Sequence, residues 1–244
     1  MDEIPYPYDY MKRTGKPVGQ QFGRIYDGFF SEEDVLAYKT NKGKPGGIPD
    51  HGTGFVPKPV KYKDLNADGK IDELDRSAIG YPEYPLLTGG LNLGFSYKGF
   101  DFSMTWSAAT MTSRYFRDIY RDPFGEVNSR SLIKYMVTDA WTPEKGNKAL
   151  APAISFKNKN NNTVDSDLWL RDASYIRLKN IELGYSIPKK IVEKLYIRSL
   201  RFSVSGYNIL TFDKLKIVDP EIRANDRSMY PLVTVINLGA KIGF

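Results

Sequence analysis

Apolar and polar residues alternate along five stretches of this chain. From Leu91 to Tyr97 the apolar residues fall at Leu91, Leu93, Phe95 and Tyr97. After Lys98-Gly99, Phe100, Phe102, Met104, Trp106 and Ala108 alternate with Asp101, Ser103, Thr105 and Ser107. Two period-2 runs joined by a two-residue X-Gly turn predict a tight β-hairpin. From Ala173 to Ile187 the alternation places Tyr175, Arg177, Lys179, Ile181, Leu183 and Tyr185 on one face, whereas Ile176 and Leu178 lie on the other. The sidedness thus changes near Lys179-Asn180. Either a bulge sits there, or only one half of the strand faces an apolar medium. Leu200, Phe202, Val204 and Gly206 mark another strand, and Val233 to Phe244 the last.

Between these stretches the pattern breaks down. Residues 1–60 are rich in Gly, Pro and Tyr, with one helix expected over Ser31–Tyr38, where Ser31 is the N-cap and Asp34 closes a capping box. Residues 41–60 read as loop. Residues 110–170 lack sustained periodicity and carry the polar tract Lys157–Thr163, with a short helix expected over Arg130–Trp141. Pro188-Lys189-Lys190 opens a helical turn, and 212–231 is a polar loop holding Asp219-Pro220-Glu221. The expected division is a loop-rich segment over 1–88, then strands over 89–244 with long loops at 110–172 and 212–231.

Composition narrows the function. The chain has 244 residues and no cysteine, which excludes disulfides, a thiol nucleophile and Cys-ligated metal centres. Its single histidine, His51, excludes a zinc site with several His ligands; it sits in a Gly/Pro-rich loop and reads as a surface residue. The pair Asp118/Asp122 reads as solvated charge rather than a glycosidase dyad, and no enzymatic activity is expected. The net charge of +6 is dispersed among acids, unlike the stripe of a nucleic-acid binder. No apolar run approaches the roughly 18 residues of a transmembrane helix. The opening MDEIPYPYDYMKRTGKPVG has none of the parts of a secretory signal. Either the protein is cytosolic or residue 1 is not its natural beginning, and the remaining features favour the second.

The last strand carries the strongest of those features. Ile236, Leu238, Ala240, Ile242 and Phe244 share one face; Asn237, Gly239, Lys241 and Gly243 share the other. A half-buried strand of a soluble sheet would also alternate. However, the spacing of Asn237, Gly239, Ile242 and the aromatic Phe244 is similar to the C-terminal signal strand of bacterial outer-membrane barrels, whose strands need about 9–11 residues to cross lipid. The other strands have similar length, and aromatics such as Trp106, Tyr185, Phe202 and Tyr207 would suit interfacial girdles. Connections also alternate between short (Lys98-Gly99, 188–199) and long (110–172, 212–231), as a barrel with short periplasmic turns and long outer loops requires.

Residues 64–75 read DLNADGKIDELD. Oxygen donors fall at Asp64, Asn66, Asp68 and Asp72, the carbonyl of Lys70 fills position 7, and Asp75 stands where an EF-hand-type loop usually has Glu. Gly69 permits the sharp turn and Ile71 is expected to tuck inward. A structural calcium ion is the expected ligand; the alternative is an ion-free cluster of Asx turns.

Together these blocks resemble the C-terminal part of the SusC/RagA family of TonB-linked outer-membrane transporters of Bacteroidetes. The resemblance is carried by Gly19–Phe30 with Ser31–Val35, by Lys63–Asp75 with Ile79-Gly80 (Ala67 standing where Gly is more usual), and by YKGFDFS at 97–103. LRDASYIRLKNIELGYSIP at 170–188, Leu200–Asn208, Asp219-Pro220-Glu221 and Tyr230-Pro231 complete it. It implies an all-β fold of antiparallel transmembrane barrel strands with extracellular loops, in the cell outer membrane. It also implies import of oligosaccharides or peptides with a SusD-like surface lipoprotein, TonB acting through an N-terminal part not present here, and contact with outer-membrane lipid and the barrel-assembly machinery. Trp141, Trp169 and Tyr120 would be candidates for stacking on sugar rings, although loop aromatics more often pack against each other. Five or six strands cannot close a barrel, which needs at least about 8, so the chain is expected to be a fragment with Met1 an internal methionine. The rival reading is a secreted calcium-binding carbohydrate-binding or adhesion β-module.

Overall fold

The computed structural model describes residues 4–52, 59–124, 132–155, 161–222 and 232–244. In chain order its strands are β1 (Gln21–Arg24), β2 (Tyr26–Phe29), β3 (Val60–Tyr62), β4 (Arg76–Ile79), β5 (Leu87–Tyr97), β6 (Phe100–Thr110), β7 (Ser113–Tyr115), β8 (Leu170–Asp172), β9 (Tyr175–Ser186), β10 (Ser199–Asp213) and β11 (Val235–Gly243). Its helices are α1 (Glu32–Asn41), α2 (Lys134–Thr138) and α3 (Lys189–Val192). These elements form two compact units that interleave along the chain: 1–84 with 113–172, and 85–112 with 173–244.

The first unit is built from short pieces. Three two-stranded antiparallel ribbons, β1–β4, β2–β3 and β7–β8, surround a core of aromatic residues. Sequence periodicity predicts none of these ribbons, because three or four residues are too few to show it. Helix α1 begins as expected: Ser31 Oγ accepts from Asp34 N (3.0 Å) and Asp34 Oδ2 from Ser31 N (2.9 Å). Helix α2 covers only five residues, less than the stretch from Arg130 to Trp141, of which 130 and 131 lie outside the described residues.

His51 belongs to this core rather than to the surface. It is 8% exposed, its Nε2 accepts from Tyr62 N (3.1 Å), and its Nδ1 lies 2.8 Å from Pro49 O. The ring fills its polar capacity only as the neutral tautomer with the proton on Nδ1. Burial accordingly depresses its pKa, and the positive charge of Arg24 adds to the effect. Phe30, Tyr38 and Tyr62 pack their rings around it. Trp169 is also fully buried, with Nε1 donating to Asn162 O (2.8 Å), so it offers no face to a sugar. Tyr120 packs against Phe116, with centroids 5.5 Å apart.

The second unit is one antiparallel sheet in the order β11–β10–β9–β6–β5. The hairpin forms as the alternation predicts. Lys98 and Gly99, at φ of 47° and 89°, both take the left-handed conformation of a type I′ turn. A Cβ on Gly99 would stand 2.8 Å from Ser186 O, so the position also requires a small residue. The sheet remains open among the described residues. β5 and β11 are its edges, and no closed barrel is present.

Candidate functional site

The register of the sheet separates two chemistries. One row across all five strands reads Phe95–Phe102–Leu183–Val204–Leu238, and the row beside it Tyr97–Phe100–Tyr185–Phe202–Ala240. Between them on the opposite face lies Ser96–Asp101–Gly184–Ser203–Gly239, followed by Gly94–Ser103–Glu182–Ser205–Asn237. Period-2 geometry thus sorts the side chains into an apolar and a polar surface. The apolar surface is uncovered, with Phe95 61%, Ile236 69% and Leu238 85% exposed. Of the proposed terminal signal, Asn237 and Gly239 join the polar rows, Ile242 faces Leu200 on the apolar side, and Phe244 is 82% exposed just past β11.

The change of sidedness in β9 is resolved by a bulge. Thr105 pairs with Asn180 and Trp106 with Leu178, leaving Lys179 as the extra residue; on the other side Tyr207 pairs with Asn180 and Leu210 with Leu178. The extra residue switches parity. Beyond it the row Leu91–Trp106–Leu178–Leu210 is again apolar, and Arg177 stays on the polar face opposite Ser107 and Thr211.

An ion network occupies that polar face at the end with long connections. Arg177 is 1% exposed. Its Nε donates to Thr211 Oγ1 (3.0 Å), its Nη2 to Asp219 Oδ2 (2.7 Å), and its Nη1 to Glu221. Lys179 Nζ donates to both Glu221 oxygens at 2.7 Å, and Tyr175 OH to Glu221 Oε1 at 2.7 Å. These hydrogen-bond donors and the positive charges of Arg177 and Lys179 outweigh burial and hold the Glu221 carboxyl below its ordinary range. Asp219 also bends the segment by accepting from Glu221 N (2.9 Å), and Leu215 and Pro220 are buried beside it. The sequence shows Asp219-Pro220-Glu221 only as part of a resemblance. Two cations within an otherwise apolar alternation, Arg177 and Lys179, were the available signal that acids must meet them. A second cluster, Arg201 with Asp101 and Glu182, lies towards the short turns.

The acidic loop of the first unit takes the expected turn. Gly69 has φ 80°, and Ile71 is 5% exposed. Its carboxylates are turned towards the loop's own backbone. Asp64 Oδ2 accepts from Gly69 N (2.8 Å), Asn66 Oδ1 from Asp68 N (3.2 Å), Asp68 Oδ1 from Lys70 N (2.8 Å) and Asp72 Oδ1 from Leu74 N (2.8 Å). Asp75, fully buried, accepts from Leu65 N (2.7 Å) and Asp72 N (2.8 Å). Burial raises its pKa, and the charges of Asp64 and Asp72 raise it further. Asp64 Oδ1 is buried with no hydrogen-bond partner. Among the described residues, no group of three or more His, Asp or Glu side chains is gathered as a ready metal cage.

These surfaces can be set beside known proteins. No family model matches the chain. It is 27% identical over 249 residues to TonB-dependent receptor P3 of Formosa agariphila, covering 95% of this chain and 23% of that one. It is 27% identical over 191 residues to TonB-dependent receptor SusC of Bacteroides thetaiotaomicron, covering 77% of this chain and 18% of that one. Its fold matches part of the RagAB peptide importer in the closed-closed state with a TM-score of 0.60, at 20% identity over 92% of this chain and 23% of that one. The chain therefore spans about a fifth of the length of the curated relatives it matches. The relatives that it resembles are of one class, the TonB-dependent receptors, and each likeness covers only part of the relative. Within that class the chain matches part of a receptor of the SusC/RagA type.

Proposed function

We propose that the five-stranded sheet is a stretch of transmembrane barrel wall in a receptor that imports oligosaccharides or peptides with a SusD-like lipoprotein partner and TonB-delivered energy. The uncovered apolar face carries this reading. In water such a surface is a liability, whereas against acyl chains it costs nothing. Strands of 9–15 residues are long enough to cross the hydrocarbon layer at a barrel tilt. The polar rows, with the Arg177 and Arg201 networks, would face the interior, where charge is tolerated. The two open edges would pair with strands from the rest of the receptor. The peptide cargo of the solved importer supports one substrate class, and the family resemblance of the sequence adds oligosaccharides as the other. Uptake of defined oligosaccharides against peptides by cells producing the protein, with and without TonB, separates them; uptake indifferent to TonB would overturn the transporter reading.

Calcium at the acidic loop belongs to the same reading. The donors are hard oxygens suited to that ion, and the unpartnered Asp64 Oδ1 is an atom that a cation would satisfy. Asp64, Asn66, Asp68, the Lys70 carbonyl, Asp72 and Asp75 would hold the ion, which would brace a loop with little core of its own. Isothermal titration with calcium and the Asp68→Ala variant tests this. Heat from the native protein and none from the variant is expected; no heat from either leaves the Asx-turn cluster as the correct description.

A further inference from the structure

The end of the sheet with short connections carries a group of cations for which no role has yet been given. Lys98 occupies the β5–β6 turn, and Lys189, Lys190, Lys194 and Arg198 lie in the link between β9 and β10. The sheet brings them together. Ser186 N donates to Gly99 O (2.8 Å), which ties the link to the hairpin turn, and Arg198 N donates to Gly243 O (2.8 Å), which ties it to β11. All five side chains are exposed. None of the five forms an ion pair among the described residues, whereas Arg177, Lys179 and Arg201 of the same sheet are each held by carboxylates. Glu193 is the single acid within the link, so the local charge stays strongly positive.

Apolar groups are interleaved with these cations. Tyr196 is 96% exposed, Ile191 52% and Phe244 82%. Lys98 Nζ lies 5.1 Å from the centroid of the Tyr97 ring, which stands in the apolar row Tyr97–Phe100–Tyr185–Phe202. Arg198 extends the register of Leu200 and Phe202 on that side. Passing off the strands, the surface is therefore first aliphatic, then aromatic, then cationic. A bilayer presents hydrocarbon, interface and phosphate in that same order. Lys241, by contrast, is on the polar face with Gly239 and Asn237 and takes no part.

We propose that this end of the sheet binds the phosphate groups of anionic phospholipids, with Lys98, Lys189, Lys190, Lys194 and Arg198 as the contacts and Tyr196 and Ile191 seated among the upper acyl carbons. The inference rests on the barrel reading, which places the short turns at the periplasmic leaflet. Each cation engaged at a headgroup is worth roughly a fivefold change in affinity. The protein, purified in neutral detergent, is titrated with phosphatidylglycerol or phosphatidylethanolamine, and retained lipid is counted by native mass spectrometry. It is compared with K98Q/K189Q/K190Q/K194Q/R198Q and with a control, K16Q/K39Q/K44Q/K134Q/K148Q. Preference for phosphatidylglycerol of roughly tenfold or more in the native protein and the control, lost in the first variant, is expected. Equal retention by all three overturns the inference and leaves the cations to an acidic protein surface. Displacement of the lipid by millimolar inorganic phosphate also overturns it, as the mark of a free-phosphate site. Insertion into phosphatidylcholine vesicles is measured in parallel. Native protein that enters no bilayer defeats the barrel reading and this inference with it, while entry without any preference for anionic lipid defeats this inference alone.

Discussion

At the scale of single residues, three positions show how backbone conformation, protonation state and buried charge set local stability. Ala67 has φ 58°, a conformation that costs an L-residue about 1 kcal/mol more than glycine. Ala67→Gly is therefore expected to raise the thermal midpoint of the first unit by a few degrees in calorimetry, despite the greater freedom glycine brings to the unfolded chain. His51 makes a pH prediction. Its folded pKa lies below the unfolded value of about 6.5, so the unfolded state binds the extra proton first. Its contribution is complete above the unfolded pKa and declines as pH falls through it towards the folded one. Unfolding followed by Trp169 fluorescence should show a falling midpoint from pH 7.5 to 5.5, and His51→Phe should flatten that slope. The carboxyls of fully buried Asp75 and half-buried Asp167, whose pKa values are raised, act with the opposite sign at lower pH. Arg177 is the third such residue. Removing it leaves Asp219 and Glu221 without their main cation in a poorly hydrated site, a change worth about 3 kcal/mol. Arg177→Met should make the 214–222 segment cleavable by protease under conditions where the native protein resists; equal resistance would show that Lys179 alone retains it.

At the scale of elements, what distinguishes the strands is which face they present. On the apolar face, Leu183→Arg in the central strand β9 should reduce the folded fraction in vesicles by about 2–4 kcal/mol, as for a charge near a bilayer midplane. Ser203→Arg, on the polar face of the next strand, should cost far less. Equal losses from the two would mean that the sheet has no lipid side. The bulge at Lys179 belongs to this scale too. One extra residue lets β9 contribute Leu178 and Ile176 to the same surface as Ile181 and Leu183, while Arg177 turns to the acids. From sequence alone that stretch allows a bulge or a half-exposed strand, because a change of parity reads the same until the neighbouring strands supply a register. The ribbons β1–β4, β2–β3 and β7–β8 were not legible at all, since their stability comes from partners distant in sequence. β1 pairs with a strand more than fifty residues away, Gln21 facing Ile79.

At the scale of the whole molecule, an open sheet with two free edges and one uncovered apolar face is expected to aggregate in water without detergent. Light scattering on detergent-free preparations checks this, and a monodisperse folded monomer would contradict the membrane assignment. The chain passes three times between its two units, entering the sheet at Pro85, leaving it after Thr112 and rejoining it at Ala173.

Patterning alone determined the hairpin, the long strands and the capped helix α1, because each is written in neighbours a few residues apart. A period of two, an X-Gly turn and a Ser-x-x-Asp cap are local physics, readable without knowing what lies across the sheet. Tertiary structure decided the rest. It buried His51, which its loop-like surroundings placed at the surface, because Phe30, Tyr38 and Tyr62 converge on it and replace water. It joined Arg177 to Asp219 and Glu221 across some forty residues, since a buried guanidinium persists only where folded geometry delivers its counter-charges.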